Sequence, residues 1–280
     1  MKLATFEYAG RKSYGVVADD RVHDLGKRFG ASCPTLRKAI ESNAFAGLTL
    51  DGNPTLRLSE VTLLPPITDP DKIICIGLNY RAHAAEGGHA VPENPSVFAR
   101  LTNTLVASGS PMILPSVSSD FDYEGELAVV IGKAGRHITP TRALEHVFGY
   151  SCFNDGSLRD IQFKHSLTAG KNFPSTGGFG PWIVTADEIP DPAKMTLTTR
   201  VNGKQVQHKG IDDMIFDVAA IIAYVSRWTP LGPGDVISTG TPEGVGFARK
   251  PPLWLRVGDT VEVEISGIGT LRNPVAAETR

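Results

Sequence analysis

Asp120-Phe121-Asp122-Tyr123-Glu124-Gly125-Glu126-Leu127-Ala128-Val129-Val130-Ile131 runs acidic residues straight into an unbroken apolar stretch. Leu127 to Ile131 reads as a buried strand. With strand geometry carried back to the acids, Glu124 and Glu126 share one face, about 7 Å apart along the chain. Two like charges on a half-buried face repel each other and resist desolvation. A cation with oxygen ligands between them relieves both costs. Gly125 leaves the opposite face without a side chain, so another backbone can approach closely there. Taken alone, the pair fits a solvated acidic strand edge as well, and Asp122 just before it is the kind of acid such an edge carries.

Asp155 extends the pattern. In Phe153-Asn154-Asp155-Gly156-Ser157 it ends an apolar segment, where a strand meets a turn. Carboxylates without a histidine suit a hard ion such as Mg²⁺ or Mn²⁺, which keeps positions open for water or substrate. His83 and Glu86 stand on one face of a helix, within hydrogen-bonding reach. A carboxylate on one imidazole nitrogen sets the tautomer and makes the other nitrogen the better base. Gly87-Gly88 follows as a helix stop and hinge, so residues 81–95 read as a short lid. His89 reads as a surface histidine.

Further out, Lys2 to Tyr8 and Tyr14 to Leu25 read as strands broken by Ala9-Gly10 and Asp19-Asp20 turns. Thr35 caps a short helix running to Ser42. Pro65-Pro66-Ile67-Thr68-Asp69-Pro70 then interrupts the pattern, since proline cannot continue a ladder. The boundary is set there: a small β-rich unit over residues 1–69 and a larger unit over 70–280. In the larger unit Lys72 to Gly77 is a buried strand, and Asn202-Gly203 closes a tight hairpin. Ile215 to Trp228 is the strongest helix, with Ile215, Val218, Ala219, Ile222 and Val225 on one stripe. Val236 to Ser238 and Val261 to Ile265 are strands. The 29 glycines and 20 prolines suit many short strands and tight turns. The fold class is α+β and β-rich.

Composition excludes several classes of function. A chain of 280 residues buries a substantial core. Its 28 basic and 30 acidic residues leave a formal charge of -2, which offers no basic face to nucleic acid. Cys33, Cys75 and Cys152 are odd in number and scattered, unlike a disulfide framework or a thiolate zinc site. No run approaches the roughly 18 apolar residues of a membrane span. The first residues lack an apolar signal core. A cytoplasmic protein without a membrane partner is expected. There is no Gly-x-Ser-x-Gly elbow, phosphate-binding loop, dinucleotide fingerprint or His-Glu-x-x-His.

The chain resembles the fumarylacetoacetate hydrolase family across nearly all of residues 70–275. The matching stretches are Gly77-Leu78-Asn79-Tyr80-Arg81-Ala82-His83-Ala84-Ala85-Glu86, Asp122 to Leu127, Asn154 to Asp160, Gly170-Lys171-Asn172-Phe173, Gly180-Pro181-Trp182 and Thr239 to Gly246. Their order and spacing match together. The resemblance implies a mixed β-roll catalytic domain with a small N-terminal β-rich domain, usually as a homodimer. It also implies a Mg²⁺ or Mn²⁺ ion held by Glu124, Glu126 and Asp155. By the same resemblance His83 and Glu86 activate water, and Lys171 stands near the metal to stabilise a developing anion. Thr241, in a glycine-rich turn, binds a substrate carboxylate, and Tyr80 and Arg81 line the pocket.

The implied substrate is a small 2-oxo acid. The expected reaction is C–C hydrolysis of an acylpyruvate or related 2,4-dioxo acid. Decarboxylation of an oxaloacetate-type acid, isomerisation or hydration on the same scaffold, and binding without turnover remain as alternatives. Two stretches depart from the family pattern. Phe98-Ala99-Arg100-Leu101 replaces a frequent Lys-Pro, and Lys171-Asn172-Phe173-Pro174-Ser175, followed by Thr176, lacks the usual acid.

Overall fold

Gly125–Ile131 is buried along its whole length and lies inside the largest sheet. The computed structural model describes residues 1–50 and 55–279. Gly125–Ile131 pairs antiparallel with Val147–Asn154 on one side and with Val236–Ser238 on the other. Past Val236–Ser238 the sheet continues in parallel to Ile73–Gly77 and then antiparallel to Ser96–Ala99. Past Val147–Asn154 it continues through Gly177–Thr185 to Lys2–Tyr8, Arg11–Ala18 and Arg21–Asp24. The N-terminal strands therefore extend the sheet that carries the acidic motif.

The unbroken apolar run follows from burial on both faces. Leu127, Val129 and Ile131 pack into one core with Ile221, Ile222 and Val225 of the helix Val218–Trp228. Ala128 and Val130 point the other way, into a core shared with Leu3, Tyr14, Leu36 and Ile40 of the N-terminal segment. The helix Leu36–Glu41 starts where Thr35 Oγ1 accepts the Lys38 N–H at 3.3 Å.

A five-stranded sheet, ordered Lys204–Gly210, Thr196–Val201, Thr260–Ile265, Gly269–Ala277 and Met112–Leu114, packs against this scaffold. Asn202 and Gly203 close its first hairpin with φ of 52° and 77°, the positive values a two-residue turn needs. The sheets meet at Gly125. A Cβ there would lie 2.1 Å from Thr199 Oγ1, so only glycine fits.

One helix starts later than its apolar stripe suggests. Val218–Trp228 begins after Asp217, whose side chain accepts the Ala220 N–H at 2.7 Å. Ile215 and Phe216 are held outside the helix because Asn79 takes both their N–H groups, at 2.7 and 2.8 Å. Cys33, Cys75 and Cys152 are free and buried. Among the described residues no helix is long and apolar enough to cross a membrane.

The close approach of the sheets makes a prediction. Gly125→Ala forces Thr199 aside and should cost about 1–3 kcal/mol, read as a lower urea midpoint. An unchanged midpoint would show that the contact is not tight.

Candidate metal centre and active site

Pairing of two strand ends brings the three acids together. Gly125 lies opposite Asn154 in the antiparallel register. The Glu124 N–H donates to Asn154 Oδ1 at 3.0 Å, and the Asp155 N–H donates to the Glu124 carbonyl at 2.9 Å. Glu124 thus sits just before one strand, Glu126 just inside it and Asp155 just past its partner. One carboxylate oxygen from each lies within 4.8 Å of the others. Their exposures are 5%, 2% and 0%.

Three buried cations surround the acids. Lys171 Nζ reaches Glu124 at 2.5 Å and Asp155 at 2.6 Å. Arg159 bridges Asp122, at 2.8 Å, and Glu124. Arg100 pairs with the other oxygen of Asp155 and donates to the Gly156 carbonyl at 3.1 Å and Thr176 Oγ1 at 2.9 Å. Asp122 also accepts the N–H groups of Gly246 and Phe247, at 2.7 and 3.1 Å.

Four buried carboxylates thus face three cations, and the one without a cationic partner is Glu126. Among the described residues it accepts from Ser238 Oγ at 2.5 Å and the Gly240 N–H at 2.9 Å. Burial, with the nearby charges of Asp155 and Glu124, pushes its carboxyl well above the usual range. Glu124 behaves oppositely. Burial opposes its ionisation, but Arg159 and Lys171 hold it well below that range. Burial likewise works against the Lys171 ammonium, and Asp155 and Glu124 more than offset it. The missing unit of positive charge at Glu126, amid oxygen donors alone, fits a hard divalent cation. Such an ion turns the cluster net positive, which attracts an anionic substrate.

His83 lies on the helix Arg81–Glu86, buried at 6% exposure. Its Nδ1 stands 2.8 Å from Glu86 Oε1. A carboxylate only accepts, so Nδ1 carries the proton and Nε2 is left as the basic nitrogen. Glu86 in turn accepts the Gly244 N–H, at 2.9 Å to one oxygen and 3.1 Å to the other. This anchors the short helix to the glycine-rich turn. His83, Glu124, Glu126, Lys171 and Thr241 line one cavity of about 140 Å³. Its apolar wall comes from Leu78, Phe98, Phe163, Leu167 and Phe247.

The remaining expected site residues lie differently. The Thr241 hydroxyl donates to the Gly125 carbonyl at 2.9 Å and accepts from Gln207 at 2.8 Å. It ties the turn to the strand, and the turn's Gly240 N–H is spent on the protein's own Glu126. Tyr80 is fully buried, and its Oη has no hydrogen-bond partner among the described residues. Burial and the charge of Glu126 push its phenol up. Tyr80 does not line the cavity, and Arg81 is exposed and does not line it either. His89, read as a surface histidine, is exposed and also borders the cavity.

Sequence reasoning assigned no role to Arg100, Arg159, Ser238 or Gly240. A signal existed for the arginines. Buried acids demand buried bases, and Arg159 follows Asp155 by four residues. Nothing in the sequence marks Ser238, the end of an apolar strand.

Glu126→Gln should leave the metal-free protein about as stable, because burial already favours the neutral form of that carboxyl. The same variant should lose the stabilisation by Mn²⁺ expected of the unsubstituted protein, about 2.7 kcal/mol at a hundredfold excess over Kd, read as a rise in melting temperature. An equal gain in both would remove Glu126 from the centre. Arg100→Ala leaves Asp155 with Lys171 as its remaining cation and should cost about 1–3 kcal/mol, read by denaturant unfolding without metal.

Comparison with known proteins agrees with this centre. Residues 72–276 match the family model described as fumarylacetoacetate (FAA) hydrolase C-terminal, and residues 1–66 match the one described as Rv2993c-like, N-terminal. Oxaloacetate tautomerase fahd2, mitochondrial, of Xenopus laevis is 44% identical over 244 residues, covering 86% of this chain and 74% of that protein. Fumarylacetoacetate hydrolase from psychrophilic Exiguobacterium antarcticum has a solved structure that superposes with a TM-score of 0.89 at 40% identity, over 99% of this chain and 100% of that one. Maleylpyruvate hydrolase from Sphingobium sp. SYK-6, solved in complex with manganese(II) ion and pyruvate, superposes with a TM-score of 0.83 at 30% identity over 100% of both chains. The manganese of that neighbour and the buried triad here both fit a divalent metal. With the family model spanning most of the chain and the sheet-rich fold shared by its neighbours, this chain belongs to the fumarylacetoacetate hydrolase family.

Proposed function

We propose that this chain is a divalent-metal-dependent enzyme that carries a small 2-oxo acid through its enol. Its net reaction is keto–enol interconversion of an oxaloacetate-type diacid. The carrying observation is that His83, held by Glu86, lines the same small cavity as Glu124, Glu126 and Lys171. The substrate class follows the name of the Xenopus relative.

Glu124, Glu126 and Asp155 would hold Mg²⁺ or Mn²⁺. The ion supplies Lewis acidity, which polarises a 2-oxo group and makes the neighbouring C–H acidic. Lys171, an ammonium against the triad, attracts the substrate's carboxylate and offsets charge that develops on the oxo oxygen. His83 Nε2 takes the proton from the carbon beside the oxo group and returns it to the oxygen. No carbon–carbon bond breaks and no water is consumed. Glu86 holds the imidazole in the tautomer this needs, and the Gly244 N–H holds Glu86. The apolar wall keeps bulk water from quenching the exchange.

A second reading, the expected hydrolysis of an acylpyruvate, is favoured by that same wall. Phe163, Leu167 and Phe247 suit an apolar acyl tail, and Arg100 and Arg159 are already paired with the protein's own acids. There His83 would activate a water that attacks the distal carbonyl.

The test follows enol decay of oxaloacetate and cleavage of acylpyruvates with Mg²⁺, Mn²⁺ or EDTA. Metal-dependent acceleration of the oxaloacetate exchange is expected. Acylpyruvate cleavage without that acceleration would establish the second reading, and no turnover of either would leave a binding protein. Glu86→Gln should lower turnover on the order of 10²-fold while keeping the Mn²⁺-dependent rise in melting temperature. Full activity in that variant would sink the role of the pair.

A further inference from the structure

We propose that the loop following Gly125–Ile131 forms a second ligand site, for a small multivalent oxyanion. Lys133, Arg136, His137, Arg142 and His146 line a cleft of about 300 Å³, with Thr139 at its edge and no carboxylate in its lining. The cleft lies at the opposite end of the strand from Glu126, roughly 17 Å away along five residues. It is separate from the metal centre.

The backbone there is pinned. Gly132 N–H donates to the His146 carbonyl at 2.8 Å, and Gly135 and Leu231 exchange hydrogen bonds of 3.0 and 2.9 Å. His137 takes a left-handed conformation, φ 54°, with its N–H on the Ser226 carbonyl at 2.9 Å. Ile138 is buried beneath, its N–H on Ser226 Oγ at 2.9 Å. The basic side chains are thus displayed from a fixed frame.

Lys133 and Arg136 are exposed and make no ion pair with the described residues. Arg142 shares its guanidinium with Glu145 at 3.0 Å, and Lys133 also acts on that carboxylate. His146 forms the floor, 7% exposed. Its Nδ1 stands 2.9 Å from the Lys133 carbonyl, which only accepts, so Nδ1 is the donor and Nε2 remains.

Three permanent cations in a lining without a carboxylate make a local positive excess in a chain whose formal charge is -2. Guanidinium forks and an ammonium around a concave floor are the chemistry that recognises phosphate or clustered carboxylates. The cleft is too small, and the rest of the chain too acidic, for a nucleic-acid track. The ligand class is therefore a phosphate ester or a polycarboxylate of metabolite size.

The probes are inorganic phosphate and tricarballylate. They are titrated into the full chain with saturating Mg²⁺ at constant ionic strength, with chloride as control, and binding is read by melting temperature and calorimetry. Saturable binding of either supports the site, and the tighter probe names the charged group recognised. The double variant Lys133→Ala, Arg136→Ala, at exposed positions, should weaken that binding about tenfold or more and leave the Mn²⁺ response intact. The proposal is overturned if neither probe saturates beyond the chloride effect. Binding of equal strength in the double variant overturns it too, because the anion then sits elsewhere, such as at the metal centre.

Discussion

Everything at the candidate metal centre depends on one electrostatic constraint: buried carboxylates outnumber the cations buried with them. Lys171, Arg100 and Arg159 between them satisfy Asp155, Glu124 and Asp122, and Glu126 is left with a hydroxyl and one backbone N–H. The desolvation cost of an uncompensated charge is large. Without a cation, burial keeps that carboxyl toward its neutral form, and the fold must hold the acids together, or they would splay apart toward water. The antiparallel pairing of Gly125–Ile131 with Val147–Asn154 provides that restraint, reinforced by the Glu124–Asp155 and Glu124–Asn154 bonds.

Rigidity at the acids has its source further out. Alternate residues of the central strand lock into two separate cores, one under the helix Val218–Trp228 and one shared with the N-terminal strands. The strand cannot slip by one residue without turning both cores inside out. The second sheet closes on Gly125, where a missing side chain lets Thr199 approach. The proposed catalytic pair is built differently. His83 and Glu86 lie on a short helix whose hold on the scaffold includes the Gly244 N–H. A fixed charge cluster beside a lightly anchored base suits a site that must admit and release a charged substrate.

Much of this was legible in the sequence. The apolar run after Glu126, the Asn202-Gly203 turn, the Thr35 cap and the glycine demanded at 125 are local consequences of side-chain size, β-pattern and backbone freedom. The acids and the His83–Glu86 pair showed as well, since spacing on a strand or a helix turn is a local property. The start of Val218–Trp228 did not, because Asn79, far away in sequence, captures the N–H groups of Ile215 and Phe216. Arg100 looked like a departure from a pattern and proves to be the partner of Asp155.

The sequence by itself determined which groups carry charge and which segments are buried, because periodicity and residue type act over a few residues. Only the tertiary structure decided how those charges cancel. Arg100 meets Asp155 across 55 positions and Ser238 meets Glu126 across 112, distances over which no local pattern operates. The same holds for the basic cleft. Lys133, Arg136, Arg142 and His146 are neighbours in the chain, but it is bonds to the distant Ser226 and Leu231 that hold their loop in the shape of a cleft. Coulomb energy depends on separation in space and on burial, and folding alone sets both.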